Sequence, residues 1–198
     1  MSFSVRTQWW IVAFLVAIGI SSVWYVTKSP RYGFVLAGQQ APMIGGLRRV
    51  GPKLGYNVES GQVGTGPALI VVFASWCAAC RQEMPSLEAL STRFKTQGLH
   101  ISAVSIDSRS DEDAVRAFAR DQGLTFEVLL DPSALVARKY GVNAIPEAFI
   151  VDGSGRVQER LIGTRDWSNP ELVHRIEEVL ANTSSRDTVS THSMVSDP

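Results

Sequence analysis

The apolar residues of the second half of the chain follow two different periods, which predict alternating strands and helices. Residues 68–74 form a continuous apolar run, which is typical of a strand buried on both faces of a sheet. From Met84 to Phe94, apolar residues recur every three or four positions, and this spacing predicts a helix that ends at Gly98. Residues 100–106 alternate between polar and apolar and predict a second strand.

The remaining elements follow in the same order. A helix is predicted at 110–122, a strand at 126–130, and a helix from Pro132 to Tyr140 with Asp131 as its N-cap. A hairpin turn at 152–155 joins a strand after Pro146 to a returning strand at 157–162, and a last amphipathic helix starts at 169–170. This order predicts an α/β fold with a mixed central sheet and helices on both faces.

The start of the chain has a different pattern, because residues 9–27 carry no charge. As a helix this stretch comes close to the ~30 Å thickness of a bilayer core. Aromatic residues flank it at both interfaces: Trp9, Trp10, Trp24 and Tyr25. We expect one uncleaved N-terminal transmembrane helix at 9–27. A cleaved signal is the alternative, although 17–19 is a poor cleavage site.

Charge gives little information on orientation, because Arg6 precedes the span while Lys28 and Arg31 follow it. We favour a cytoplasmic N-terminus at 1–8 and an exported domain. Residues 28–66 are rich in glycine and predict a linker that runs into turns and one short hairpin. The segment 183–198 has few apolar residues, and we expect disorder there.

Overall charge limits the classes of partner. The 198 residues contain 19 basic and 19 acidic side chains, with no basic stripe that would bind nucleic acid. The two cysteines are too few for a disulfide-stapled scaffold. They are separated by two residues, so their arrangement fits a redox pair, half of a metal site or a coincidence.

The cysteines lie where the first strand meets the first helix of the predicted sheet. In the first turn of a helix, Cys77 faces unpaired N–H groups, which favours its thiolate and lowers its pKa. Cys80 is one turn later on the same face and can form a disulfide with Cys77 after that sulfur has attacked a partner. A structural disulfide across so short a loop would add little stability.

The other interpretations of the pair have weaker support. A zinc site needs about four ligands, and the histidines are far apart in sequence. They are His100, His174 and His192. Buried free cysteines with no chemical role would not be expected at a strand-to-helix junction.

The motif Trp76-Cys-Ala-Ala-Cys80, with Pro85 after it and Ile145-Pro146 before a later strand, resembles the thioredoxin superfamily. The resemblance covers about residues 38–181 and implies a thioredoxin-like domain at 67–182, with an extension from about 38. Residues 74–77, 81–87 and 149–155 are similar to the membrane-anchored TlpA/ResA/DsbE branch. Pro85 is expected to kink the helix that carries the cysteines.

The resemblance assigns roles to residues around the pair. Pro146 would be the cis-proline beside the disulfide, with Ile145 and Glu147 next to it on the substrate side. Glu147 is similar to the residue found in the cytochrome c maturation members. Trp76 would shield Cys77 or simply pack beside it.

The resemblance leaves the proton-transfer group open. Val71 occupies the position at which cytosolic thioredoxins have a buried aspartate. Glu83, three residues after Cys80, would supply a carboxyl that raises thiol pKa values and shuttles protons. The alternative is a solvent-facing helical glutamate.

The resemblance implies an extracytoplasmic thiol-disulfide oxidoreductase held in the cell membrane by its N-terminal helix. It would reduce specific protein disulfides, with apocytochrome c as the leading substrate. Electrons would come from a transmembrane donor, and we expect no cofactor, since no nicotinamide or flavin motif is present. The alternatives are a soft-metal chaperone for copper, whose family members space their cysteines by three, and a thiol peroxidase, whose Thr-x-x-Cys motif is absent.

Overall fold

The computed structural model describes residues 14–21, 33–50 and 66–192, and the chain divides into two units between Tyr32 and Gly33. In the first unit, residues 14–21 are helical (α1) and belong to the predicted span at 9–27. Among the described residues, no helix combines the length and the apolar character needed to cross a bilayer. Three predicted parts lie outside the described residues: the cytoplasmic segment 1–8, the rest of the span, and residues 28–32 and 51–65 of the predicted linker region. The expectations for these residues stay predictions.

The second unit is built on a mixed sheet of six strands among the described residues, in the order β1-β4-β3-β2-β5-β6. Strands β2, β3 and β4 are mutually parallel, whereas β1, β5 and β6 pair antiparallel to their neighbours. Their bounds are β1 Arg48–Arg49, β2 Ala68–Phe73, β3 His100–Ser105, β4 Glu127–Leu130, β5 Glu147–Val151 and β6 Val157–Ile162. The predicted mixed sheet and its hairpin are confirmed.

Helices cover both faces of this sheet, as predicted. They are α2 Ala78–Phe94, α3 Glu112–Asp121, α4 Leu135–Tyr140 and α5 Pro170–His192. Side chains of β2 alternate between two cores: Leu69, Val71 and Phe73 pack with α2, α3 and α5, whereas Ile70 packs with α4 on the other face. Because β2 pairs with β3 and β5 and is buried on both faces, its carboxyl end lies between two packed layers of the second unit.

Residues 33–50, which lie in the segment predicted to hold a linker, turns and an extension of the domain from about residue 38, form a packed arm. Val35 and Ile44 are buried in the second core, and β1 pairs antiparallel with β4. The Tyr140 hydroxyl donates to the Pro42 carbonyl at 2.7 Å, which ties the arm to α4. The sequence pattern did not show this arm because its strand has only two residues, too few for a period to appear.

Two helix ends differ from the sequence prediction. Helix α4 begins at Leu135 instead of Pro132, although Asp131 still caps it by accepting the Leu135 and Val136 N–H groups at 3.0 and 2.7 Å. The expected disorder from residue 183 is wrong as far as His192, because α5 continues to that residue. At the predicted end, the Thr183 Oγ1 donates to the Val179 carbonyl at 2.9 Å and accepts the Gly153 N–H at 3.2 Å, which holds the helix against the sheet.

Candidate active site

The cysteine motif lies in the turn between β2 and α2. β2 pairs with β3 as far as Phe73 and Ser105, and the chain then leaves the sheet through residues 74–76. Trp76 projects into solvent with 68% of its side chain exposed. Cys77 follows with 8% exposed, and Cys80 is completely buried. An external disulfide can therefore reach Cys77 but not Cys80.

Cys77 is the N-cap residue of α2. Its Sγ accepts the Cys80 N–H at 3.1 Å, and its carbonyl accepts the Arg81 N–H, also at 3.1 Å. Cys77 and Cys80 form a disulfide, with their Cα atoms 5.2 Å apart. The pairing and the position at a helix start match the sequence-based expectation. When the disulfide is reduced, a thiolate at Cys77 would receive the same N–H group and the positive end of the helix dipole.

The segment around Pro146 lies at the same edge of the sheet. Glu147 pairs with Val72, so Pro146 is level with Phe73, where the cysteine turn begins. The Ile145–Pro146 peptide bond is cis, as the resemblance implied. The Pro146 carbonyl accepts the Gly163 N–H at 2.9 Å. Ile145 is partly buried against the core that lies between the sheet and α2, α3 and α5.

Glu147 is buried at the start of β5. Its carboxylate forms an ion pair with the Arg160 guanidinium, which also donates to the Gly141 carbonyl at 2.9 Å and lies 5.5 Å from the centre of the Phe149 ring. The Glu147 side chain is thus engaged within the sheet. Its predicted contact with substrate, like that of Trp76 and Ile145, stays a prediction.

Glu83 is not a solvent-facing helical glutamate, because only 2% of the residue is exposed. It lies one turn after Cys80 on the buried face of α2. Its Oε2 accepts the Arg165 N–H at 3.1 Å from the loop between β6 and α5. Its Oε1 has no hydrogen-bond partner of normal geometry among the described residues, and neither has the buried indole Nε1 of Trp167.

Burial raises the pKa of the Glu83 carboxyl from 4.5 to about 7. The Arg165 N–H, the nearby Trp167 indole and the charge of Arg165 oppose this rise, and the desolvation of the carboxyl outweighs them. A carboxyl with a pKa near neutrality can give and take a proton at physiological pH. Glu83 is one helical turn from Cys80, and both residues belong to the buried face of α2.

Sequence reasoning missed the groups that hold this site from outside α2. Asp107, after β3, accepts hydrogen bonds from Ser75, and Arg165 and Trp167 surround Glu83. These partners are 32 and about 80 residues away along the chain, so no local period could connect them. The burial of Glu83 had a signal, since it falls on the same helical stripe as Cys80 and Leu87.

Comparison with known proteins supports the same chemistry. A family model described as the AhpC/TSA family matches residues 37–160. The chain is 38% identical over 120 residues to the thiol:disulfide interchange protein DsbE homolog of Paracoccus denitrificans, which covers 59% of this chain and 63% of that protein. It is 33% identical over 91 residues to the thiol-disulfide oxidoreductase ResA of Bacillus thuringiensis, covering 46% of this chain and 51% of ResA.

A solved structure extends the similarity to the fold. A Chlorobium tepidum protein, provisionally named as the thiol:disulfide interchange protein DsbE, superimposes with a TM-score of 0.62 and 26% identity, over 74% of this chain and 99% of that one. The chain spans 63% of the length of the Paracoccus relative and 51% of that of ResA. From the family match, the sheet order and the cysteine pair at the start of α2, we conclude that this chain is a member of the AhpC/TSA family with a thioredoxin-like fold, related to proteins named as thiol-disulfide oxidoreductases.

Proposed function

We propose that the protein is a thiol-disulfide oxidoreductase in which Cys77 attacks and Cys80 resolves. In the reduced protein, the Cys77 thiolate attacks one sulfur of a substrate disulfide, and the other substrate sulfur leaves as a thiolate and takes up a proton. Cys80 then attacks Cys77 in the mixed disulfide. This step releases the second substrate thiol and forms the Cys77–Cys80 disulfide. Two electrons and two protons pass to the substrate, and a dithiol donor must restore the reduced pair.

Glu83 has the proton-handling role in this proposal. Cys80 is completely buried, so its thiol cannot release a proton directly to bulk water. The Glu83 carboxyl is one turn away on the same buried face, and its pKa of about 7 lets its ionised form accept that proton as Cys80 attacks. The Arg165 N–H, which donates to the Glu83 Oε2 at 3.1 Å, keeps the carboxyl at this position.

The finer assignment concerns location and substrate. We propose that residues 9–27 anchor the protein in the cell membrane with the folded unit outside the cytoplasm, and that a transmembrane donor supplies electrons. The uncharged span and its aromatic flanks support the anchor. The similarity to proteins named DsbE and ResA supports reduction of a protein disulfide, and apocytochrome c is the proposed substrate class.

The observation that carries the proposal is the difference in exposure between two disulfide-bonded cysteines at a helix start, with Cys77 reachable and Cys80 buried.

The test is a trapping experiment in membranes from the native cell. C80S should accumulate a mixed disulfide through Cys77, because the resolving thiol is gone, whereas C77S should trap none. Mass spectrometry of the trapped adducts identifies the substrate, and recovery of apocytochrome c cysteines would support the proposed class. Equal trapping by C77S and C80S would contradict the assignment of roles.

The direction of transfer is tested by the reduction potential of the pair. A value near the ~−270 mV of thioredoxin supports a reductase, and a value near the ~−120 mV of DsbA would reverse the direction. Equilibration of the full chain with glutathione buffers of defined ratio, read by thiol alkylation and mass, gives this potential.

A further inference from the structure

A buried carboxylate outside the cysteine helix accepts hydrogen bonds from the turn that carries Cys77. Asp107 follows β3 by two residues and is 1% exposed. Its Oδ2 accepts the Ser75 N–H at 2.8 Å and the Ser105 hydroxyl at 2.6 Å, and its Oδ1 accepts the Ser75 hydroxyl at 2.6 Å. Ser75 therefore binds both oxygens of one carboxylate, through its backbone and through its side chain.

The sheet does not need these bonds for its own register. β2 and β3 are already paired from Ala68 with His100 to Phe73 with Ser105, and the Ile106 N–H donates to the Phe73 carbonyl at 3.0 Å. Ser75 lies beyond the last of these pairs. A carboxylate that is buried is costly unless it is fully hydrogen-bonded, and here two of its three bonds go to the turn.

The turn sets where the sulfur lies. Ser75 is two residues before Cys77, and the Cys77 N–H donates back to the Ala74 carbonyl at 3.1 Å. If Ser75 moved, Cys77 would leave the N-cap position in which its Sγ accepts the Cys80 N–H. A displacement of about 1 Å at a reacting atom can lower a rate by about a hundredfold.

We propose that Asp107, acting through Ser75, is the positioning residue that holds the Cys77 sulfur at the start of α2. The proposal rests on the proposed thiol chemistry of Cys77 but not on the identity of the substrate. Asp107 is a positioning residue and not a catalytic one, because the sulfur is reached only through Ser75.

The other charged groups around the turn do not replace this contact. The Arg81 guanidinium lies 4.7 Å from the centre of the Phe118 ring and 3.5 Å from the Ser75 carbonyl, so it neighbours the same turn from α2. The Glu83 carboxylate accepts the Arg165 N–H from the loop after β6. None of them donates to or accepts from the Ser75 N–H or hydroxyl in the bonds described above.

The test compares three alanine variants of the full chain in the reduced state. S75A removes one bond between the carboxylate and the turn, and D107A removes all of them. S105A is the control, because it removes from β3, outside the turn, a hydroxyl that donates to the same carboxylate and accepts the Asp107 N–H. The measured quantity is the rate at which iodoacetamide alkylates Cys77 across a pH series, read by peptide mass spectrometry. The free energy of unfolding of each variant is measured in parallel.

We expect S75A and D107A to slow alkylation at pH 7 by roughly threefold and tenfold, because the pH midpoint moves towards that of free cysteine, about 8.5. S105A should lower stability at least as much as S75A does and shift the midpoint less. D107N, which keeps an acceptor for the Ser75 N–H and can donate to its hydroxyl, should recover most of the rate lost in D107A. If S75A gives the wild-type midpoint and rate, whether or not D107A folds, Asp107 does not act on Cys77 through Ser75 and the proposal is overturned.

The same samples separate this proposal from the proposed function. Alkylation requires only the thiol, so the comparison is decisive whether or not the protein turns over disulfides. Trapping of mixed disulfides by C80S is the separate measure of oxidoreductase chemistry. A C80S protein that traps no mixed disulfide would contradict the proposed function, and the alkylation series would still decide the role of Asp107.

Discussion

Ionisation of Glu83 should lower the free energy of unfolding as the pH rises from 4.5 to about 7, and replacing Glu83 by glutamine should remove this pH dependence. The folded protein raises the pKa of this carboxyl from 4.5 to about 7 by burying it. Below pH 4.5 the carboxyl is protonated in both folded and unfolded chains. Between pH 4.5 and 7 the unfolded chain loses the proton while the folded protein keeps it, so the free energy of unfolding falls as the pH rises. Above pH 7 the loss is complete.

The size of this effect follows from the interval between the two pKa values. It is about 2.5 pH units, and each unit corresponds to 1.36 kcal/mol, so ionised Glu83 lowers the free energy of unfolding by about 3 kcal/mol. Glu83→Gln removes the ionisation and keeps a similar shape. The glutamine amide also interacts with the Trp167 indole, and this interaction does not depend on pH. The informative quantity is therefore how the difference in free energy of unfolding between E83Q and wild type changes with pH, not its value at one pH.

The assay is guanidinium unfolding of the oxidised full chain at several pH values from 4.5 to 8.5, followed by tryptophan fluorescence. The free energy of unfolding of E83Q minus that of wild type should increase by about 3 kcal/mol between pH 4.5 and 8.5. E178Q, at an exposed position of α5, controls for the loss of one carboxyl at the surface. Parallel curves for wild type and E83Q would show that the carboxyl is not destabilised by burial, and the proton-handling role would lose its basis.

Three further outcomes follow from the site and its supports. W76A should raise the KM for reduction of the protein disulfide identified by trapping roughly tenfold, because an exposed tryptophan beside the reactive sulfur supplies about 1.4 kcal/mol of contact. The kcat should hold, and an unchanged KM would remove Trp76 from the substrate surface. R160A should destabilise the fold by about 3–5 kcal/mol in chemical unfolding, because it leaves buried Glu147 without its cation, and R160K should lose less. Y140F should cost about 1 kcal/mol through the unpaired Pro42 carbonyl and should speed hydrogen exchange in the arm at 33–50; protection equal to wild type would show that this hydroxyl does not hold the arm.

The sequence was sufficient for features that repeat along the chain. The apolar run of β2, the helical spacing of α2 and the turn at 152–155 each appear in a short window, and together they predicted the mixed sheet and the cysteine position. The structure adds contacts between residues that are far apart along the chain, which no short segment of sequence can show. Ser75 and Asp107 are 32 residues apart, and the partner of the Glu83 carboxylate is 82 residues away.

Short elements and helix ends were the other failures. A strand of two residues has no period, so the sequence predicts only a linker, turns and one short hairpin where β1 lies. Helix α5 continues past Thr183 because a threonine side chain bonds both its own helix and the Gly153 turn, which composition does not reveal. For Glu83 the sequence left two environments open, a buried carboxyl near the cysteines and a solvent-facing position on the helix. Its stripe on α2 favoured burial, and the structure places it there.

The arm at 33–50 determines where the protein can be shortened. A recombinant form that starts at Ala68 would retain every residue of the cysteine motif and yet would uncover Ile70, Val104 and Phe149, which the arm and α4 together seal from water. Such a protein would be prone to aggregate and would give a misleading loss of activity. Expression of the folded unit for crystallisation or redox measurements should therefore begin ahead of Gly33.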